Sequence, residues 1–302
     1  MGISTLGDRR GFLRLFGGAA AAASASSACA APARADRGDR RPGSKLGATF
    51  ESWFSLAGLN VFVTGAGSGR AQPVALAMGQ AGARVIVGDA SLAQAQRVAR
   101  AITADGGEAL PLAIDVADEQ SVLAAFAEIR RQAGRLDVIV LGATHFGGCP
   151  IVDMTVQQWD WLVDTNLRGA FLCSREAVRM MIEGGRGGRI IALSTIGSLH
   201  PVINGNVAYG PSKAGLNQLM RNIAHDHAKD GVRANAILPG NIPDDAPNQS
   251  CPTLERRFDP ARLPFGRGPP EEVARLAVFL AGPSASYISG QSIAIDGAFS
   301  AL

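Results

Sequence analysis

From Asn60 onward, short apolar runs rich in β-branched residues alternate with longer Ala/Leu-rich segments of helical period, and this rhythm constrains the fold more than any other feature. The runs are 60–64, 84–88, 109–114, 136–141, 189–194, 233–238 and 292–296. Helical periodicity falls near 70–82, 91–105, 118–133, 156–183, 207–230 and 271–281. Runs that are apolar throughout suit strands buried on both faces, and strands separated by helices suit right-handed crossovers in a parallel sheet. The expected fold is a single-domain, doubly wound α/β sheet of Rossmann type. Thr155 and Gln158 have the spacing of a capping box for the long helix that follows. In such a sheet, ligands bind beyond the carboxyl ends of the strands, so the loops after each run are where chemistry is expected.

Composition excludes two other classes. Hydrophobic residues make up 47% and charged residues 18% of the 302 residues, too apolar for a disordered chain. The net charge of +3 lies in residues 1–35, where Arg9, Arg10, Arg14 and Arg34 oppose only Asp8. The rest of the chain is balanced, so the basic face of a nucleic-acid binder is missing.

Residues 1–35 look like an address. DRRGFLR at 8–14 precedes a small apolar stretch that ends in an Ala-x-Ala pair, the order of a secretory signal. The adjacent Arg9 and Arg10, with Phe12 and Leu13 behind them, resemble a twin-arginine export signal. The expected organisation is a signal at 1–35 cleaved after Ala33 or Ala35, a polar Gly-rich linker at 36–53, and the α/β domain at 54–302. Periplasmic export follows, with cytoplasmic residence as the alternative if the signal is unused. The apolar run is too short and Gly-rich for a stable membrane anchor. Cys149, Cys173 and Cys251 lie far apart and are odd in number, so at least one thiol stays outside any internal disulfide; no metal spacing appears.

Two clusters carry chemistry. After the first run comes Thr64-Gly65-Ala66-Gly67-Ser68-Gly69-Arg70-Ala71. Glycines there let the backbone turn sharply and approach a pyrophosphate seated on the amino end of the next helix. Arg70 takes the sixth place of the generic G-x-G-x-x-G pattern. Asp89 ends the second run, where a carboxylate accepts hydrogen bonds from ribose hydroxyls and repels a 2′-phosphate. Neither Ser68 nor Ala90 supplies a cation, so NAD is expected in preference to NADP.

The second cluster is Tyr209 and Lys213, on one helix face at four-residue spacing. A neighbouring ammonium lowers a phenol's pKa and makes it a usable acid or base. The chain has two tyrosines and writes nearly all its cations as Arg, with Lys only at 45, 213 and 229. His145 and His200 lie in loops that could border the substrate, although a loop histidine is more often a solvated surface residue, and Trp159 and Trp161 read as packing or oligomer-face residues. The 241–268 segment, rich in Pro, Asp and Arg, reads as a mobile lid over the substrate.

Together these motifs resemble the short-chain dehydrogenase/reductase family, over Phe54 to about Ala301. Thr64, Gly65 and Gly69 fit its glycine loop, with Ala71 as the last member. The resemblance implies that Asp115 and Val116 meet the adenine and that Asn166 belongs to a catalytic tetrad with Thr195, Tyr209 and Lys213. Its main chain would hold a proton-relaying water. Thr195 aligns better than Ser194 with the substrate-binding serine, and Pro239-Gly240-Asn241-Ile242 matches the segment at the nicotinamide. Cofactor contacts are thus expected from Gly65, Gly67, Gly69, Arg70, Asp89, Asp115, Val116, Leu141, Tyr209, Lys213 and Ile242. There are four departures. Leu141-Gly142-Ala143-Thr144 stands where the family has N-N-A-G. Arg70 replaces an aliphatic residue, Thr195 a serine and Asp244 a common threonine. The implied activity is hydride transfer between nicotinamide and a secondary alcohol or ketone, in a homodimer or homotetramer joined through the long helices. Two rivals are an exported NAD-binding protein with little catalysis, and a nucleotide-sugar epimerase or dehydratase. The latter would need a larger domain than the roughly 90 residues after Tyr209.

Overall fold

The computed structural model describes residues 49–254 and 264–301. The expected signal, and the linker as far as residue 48, lie outside the described residues. Seven parallel strands form one sheet in the order β3-β2-β1-β4-β5-β6-β7. They are β1 Asn60–Thr64, β2 Arg84–Asp89, β3 Glu108–Ala113, β4 Val138–Leu141, β5 Gly188–Leu193, β6 Val232–Pro239 and β7 Ser292–Ile295. Each lies on one of the seven apolar runs, and the expected doubly wound sheet is what forms.

The reason is visible in β1. Val61 and Val63 pack on one face with Val74 and Met78, while Phe62 packs on the other with Phe126, ring centroids 5.7 Å apart. A strand whose successive residues are all buried carries no polar alternation. Pro111 sits within β3 because β3 is the sheet edge, where a missing backbone donor is tolerated.

Helices α1 Ala71–Gln80, α2 Leu92–Ala104 and α7 Glu271–Ala281 cover one face. Helices α3 Glu119–Ala133, α5 Ala170–Gly184 and α6 Tyr209–Asp226 cover the other. The expected long helix over 156–183 is instead three pieces: α4 Val156–Val163, a π-helical turn Asp164–Gly169, and α5. Thr155 and Gln158 do form the capping box of α4. The segment expected as helix to residue 230 leaves the α-helix at Asp226 and closes with a 3-10 turn, Ala228–Asp230. At the amino end, part of the expected linker is ordered: Phe50–Trp53 form a 3-10 turn, and Ser284 Oγ donates to the Trp53 carbonyl at 2.7 Å. No helix among the described residues is long and apolar enough to cross a membrane.

The chain order reverses between β1 and β4, and their carboxyl ends open a crevice there. The site lies in it.

Candidate active site

The glycine loop links β1 to α1. Gly65 and Gly69 adopt φ of +66° and +58°, values that side chains disfavour. A Cβ at Gly65 would lie 2.6 Å from Ala143 Cα, so the loop and the end of β4 approach as closely as glycine permits. Asp89 follows β2 and turns back onto this loop. Its Oδ2 accepts from Gly67 N at 2.9 Å, and a Cβ at Gly67 would sit 2.6 Å from that oxygen. Arg97 on α2 donates to the Gly67 carbonyl at 2.7 Å. A cation therefore lies against the glycine loop, supplied by a helix rather than by Ser68 or Ala90.

Beyond β3, the Asp115 carboxylate accepts from Ala117 N at 2.9 Å, and buried Val116 packs under Gly169. Leu141 is buried at the end of β4 and lines a small inner cavity with Thr64, Asn166 and Leu216. The Leu141-Gly142-Ala143-Thr144 departure builds a defined structure. Gly142 N and Ala143 N both donate to Thr64 Oγ1, at 3.1 and 3.3 Å, and Thr64 Oγ1 donates to the Val140 carbonyl at 3.3 Å. A Cβ at Gly142 would fall 2.6 Å from the Thr64 carbonyl, so glycine is required there.

Thr144 has a second consequence. The Lys213 ammonium donates to Thr144 Oγ1 at 2.7 Å and to the Leu193 carbonyl at 2.9 Å. Lys213 is 1% exposed, and burial, with the nearby Arg70 charge adding, pushes its pKa down to about 7. Its nitrogen lies 5.8 Å from the centroid of the Tyr209 ring. Tyr209 opens α6, buried, with Phe146 edge-on at 5.0 Å. Burial pushes this phenol above its ordinary value rather than below it, and the Arg70 charge draws it back. The expected lowering by Lys213 is thus replaced by burial opposed by a different cation.

The remaining tetrad positions divide. Asn166 lies in the π-helical turn, whose extra residue lets its side chain face the loop after β4. Its Oδ1 accepts from His145 N at 2.8 Å, and its Nδ2 donates to the His145 carbonyl at 2.9 Å and to Ser212 Oγ at 3.3 Å. Asn166 therefore fastens that loop to α6. Ser194 borders the crevice with its hydroxyl donating to the Lys213 carbonyl at 3.3 Å, and the Thr195 hydroxyl caps a short turn, accepting from Gly197 N at 3.2 Å. His145, expected on the surface, is half-buried, stacked on Trp161 at 3.8 Å and shared between Thr165 Oγ1 and the Trp161 carbonyl. Burial lowers its pKa.

Asp244 reaches the glycine loop from the segment after β6. Its Oδ1 accepts from Arg70 N at 3.3 Å, and its Oδ2 lies 2.9 Å from Arg70 Nε. The latter contact is a charge pair whose angle does not make a hydrogen bond. Ile242 is buried next to a separate cavity with Asn241 and Phe265. The described part of the expected lid is anchored rather than loose. Phe146 N donates to the Pro247 carbonyl, Gln249 N to the Phe146 carbonyl and Cys251 N to the Gly148 carbonyl, at 2.8 to 3.0 Å. A Cys149–Cys251 disulfide closes the same junction and leaves Cys173 as a buried free thiol. Residues 255–263 lie outside the described residues.

One cleft therefore brings together Gly65, Gly69, Arg70, Asp89, Asp115, Val116 and Tyr209 of the expected residues. Gly67 backs it through Asp89, and Lys213 lies beneath it through Thr144. Leu141, Asn166, Thr195 and Ile242 stand behind or beside it. Thr144, His145, Ser194 and Asp244 border it directly. A family profile described as Enoyl-(Acyl carrier protein) reductase matches residues 65–300. The chain is a short-chain dehydrogenase/reductase. An L-rhamnose 1-dehydrogenase (NAD(P)(+)) of Azotobacter vinelandii is 38% identical over 248 residues, spanning 78% of this chain and 94% of the relative. A short-chain type dehydrogenase/reductase from Mycobacterium marinum superposes with a TM-score of 0.76 at 30% identity, over 83% and 99% of the two chains. A gluconate 5-dehydrogenase from Burkholderia cenocepacia, solved in complex with NADP and tartrate, gives 0.75 at 26% identity, over the same shares. The dehydrogenase/reductase reading thus covers the α/β domain.

Proposed function

We propose that this short-chain dehydrogenase/reductase transfers hydride between a nicotinamide dinucleotide and a secondary alcohol or ketone. The observation that carries the reading is Tyr209 at the start of α6, lining the same crevice as the glycine loop. The residues present suit a dinucleotide. Gly65 and Gly69 leave no Cβ between the backbone and a pyrophosphate, and α1 presents its amino end. Asp89 stands at the ribose end. When bound, the cofactor supplies or accepts the hydride at its nicotinamide C4.

Tyr209 gives a proton to the substrate oxygen in reduction and takes one in oxidation. A hydroxyl of the Ser194–Thr195 pair hydrogen-bonds that oxygen, with Ser194 on the cleft side. Lys213, beneath the cleft and held by Thr144, is the group we assign to the ribose hydroxyls and to a proton relay under Tyr209, supported at Asn166. Arg70, Asp115 and Val116, which line the crevice, complete the cofactor contacts. NAD is the preferred cofactor, because the Asp89 carboxylate repels a 2′-phosphate in a poorly solvated site.

We place the protein outside the cytoplasm. The twin-arginine pattern at Arg9 and Arg10 supports this, and so does the Cys149–Cys251 disulfide, since such bonds persist in oxidising compartments. Phe171 and Ile182 on α5 and Trp159 on α4 are exposed apolar residues, which supports a homo-oligomer joined through those helices. The rival reading, a dinucleotide-binding protein with little catalysis, is favoured by one observation: Lys213 is already engaged by Thr144 and Leu193. Tyr209→Phe separates the two. We expect turnover to fall roughly 10²- to 10⁴-fold while calorimetric NAD affinity stays within a few-fold. An unchanged kcat removes Tyr209 from the chemistry.

A further inference from the structure

The family places a lysine beside its tyrosine, yet here the crevice holds a second cation. Arg70 and Asp244 depart from the family pattern separately, one on the glycine loop and one 174 residues later. In the fold they depart together. Asp244 grips Arg70 at both its main-chain N and its guanidinium, at 3.3 and 2.9 Å, and the two side chains are only 14% and 18% exposed. A Cβ at Gly69 would collide with the Asp244 carboxylate, so the carboxylate is seated against the loop itself. Arg70, Asp244 and Tyr209 line one cleft.

We propose that Arg70, held in place by Asp244, is the cation that governs the Tyr209 hydroxyl in this protein. It is a positioning residue that acts on the tyrosine from the glycine loop. The inference rests on the reading of Tyr209 as the acid and base of the reaction. Four charged or titratable groups face the phenol. Arg70 lines the same cleft and its charge lowers the phenol's pKa, and Asp244 adds an opposing charge. Lys213 lies a turn along α6, but its ammonium is directed to Thr144 Oγ1 and the Leu193 carbonyl. His145 lines the cleft from the loop after β4 and is kept neutral by burial. Lys213 releases its proton at about 7, so its charge is gone before the phenol, held above its ordinary value by burial, ionises. A guanidinium stays charged throughout.

The pair also makes the two departures mutually dependent. Arg70 without Asp244 would leave an uncompensated guanidinium in a cleft shared with Lys213. Asp244 without Arg70 would leave a carboxylate beside the phenol and disfavour its ionisation.

The test reads ionisation, not turnover, so its failure is distinct from failure of the catalytic reading. Tyr287 is fully exposed, and Tyr287→Phe leaves Tyr209 as the sole tyrosine. The full chain carrying that change and ¹³Cζ-labelled tyrosine is titrated by NMR without added dinucleotide. Asp244→Asn is expected to lower the Tyr209 midpoint and Arg70→Met to raise it, each by about one pH unit or more. Arg70→Lys should recover part of the loss. Lys213→Met should move the midpoint less than Arg70→Met does. Coincident curves for the parent, Arg70→Met and Asp244→Asn overturn the proposal, as does a larger shift from Lys213→Met. Should Arg70→Met fail to fold, Arg70→Gln takes its place, with the same upward shift expected and an unshifted midpoint overturning the proposal.

Discussion

A lysine that is 1% exposed and reaches only a hydroxyl and a carbonyl is an expensive group to keep charged. Its folded-state pKa is about 7, against 10.5 when free. Between those values the unfolded chain holds a proton that the folded chain has released. Stability contributed by this group therefore rises with pH across that window, and the burial penalty is felt in full below it. We expect chemical denaturation of wild type and Lys213→Met to show this as a difference. The wild-type curve should climb relative to the variant from about pH 7 to pH 10, and parallel curves would rule the shift out. At the other end of the crevice, Asp89 is braced by Gly67 N and Ser91 N. Asp89→Ser with Ala90→Arg is expected to move preference toward NADP(H), because the repelling carboxylate goes and Arg97 already lies near. Tighter calorimetric binding of NADPH than NADH by wild type would refute the role of Asp89. Asp89 and the glycines were legible in sequence because each sits next to a strand end, where position alone carries meaning, and Tyr209 because Lys213 follows it one helical turn later. Thr144 and Asp244 were legible only as departures, since their partners Lys213 and Arg70 are 69 and 174 residues away.

At the scale of elements, the apolar runs announced every described strand, and helix starts fell within a residue or two wherever a cap marked them. Ser91, Asp118 and Thr155 each accept from a backbone N–H in the first turn of their helix. The break at Asp164–Gly169 left no such mark, because a π-helical turn keeps the helical period on both sides and differs by one residue. What it achieves is tertiary: Asn166 reaches His145, and Gly169 comes against Val116. The cysteine pairing was equally silent, for nothing local ties residues separated by 102 positions. In the fold, that disulfide clamps the segment after β6 to the loop after β4, beside three main-chain hydrogen bonds. Closing a loop of about 100 residues restricts the unfolded chain by up to about 4.7 kcal/mol on the chain-entropy account. We expect Cys149→Ser/Cys251→Ser to lower the thermal midpoint by several degrees. An unchanged midpoint would show that the hydrogen bonds hold the junction alone.

For the whole molecule, the proposed export rests on two independent features, the twin-arginine pattern at Arg9 and Arg10 and the Cys149–Cys251 disulfide. Arg9→Lys/Arg10→Lys is expected to retain the protein in the cytoplasm, uncleaved and with Cys149 and Cys251 open to alkylation. Wild type should be found in the periplasm, shortened near Ala35 and with those thiols protected. Wild type that stays uncleaved and alkylatable in the cytoplasm would remove the export claim and leave the enzyme reading untouched. The central claim is that Tyr209, in the cleft of the glycine loop, makes this fold an oxidoreductase. It is tested most directly by following reduced cofactor at 340 nm with NAD and NADP side by side, over sugars, polyols and hydroxy acids. The wild-type protein should reduce NAD on at least one of these, and Tyr209→Phe should bind NAD equally well yet stay at background. A Tyr209→Phe protein that matches the wild-type rate on that substrate would contradict the account.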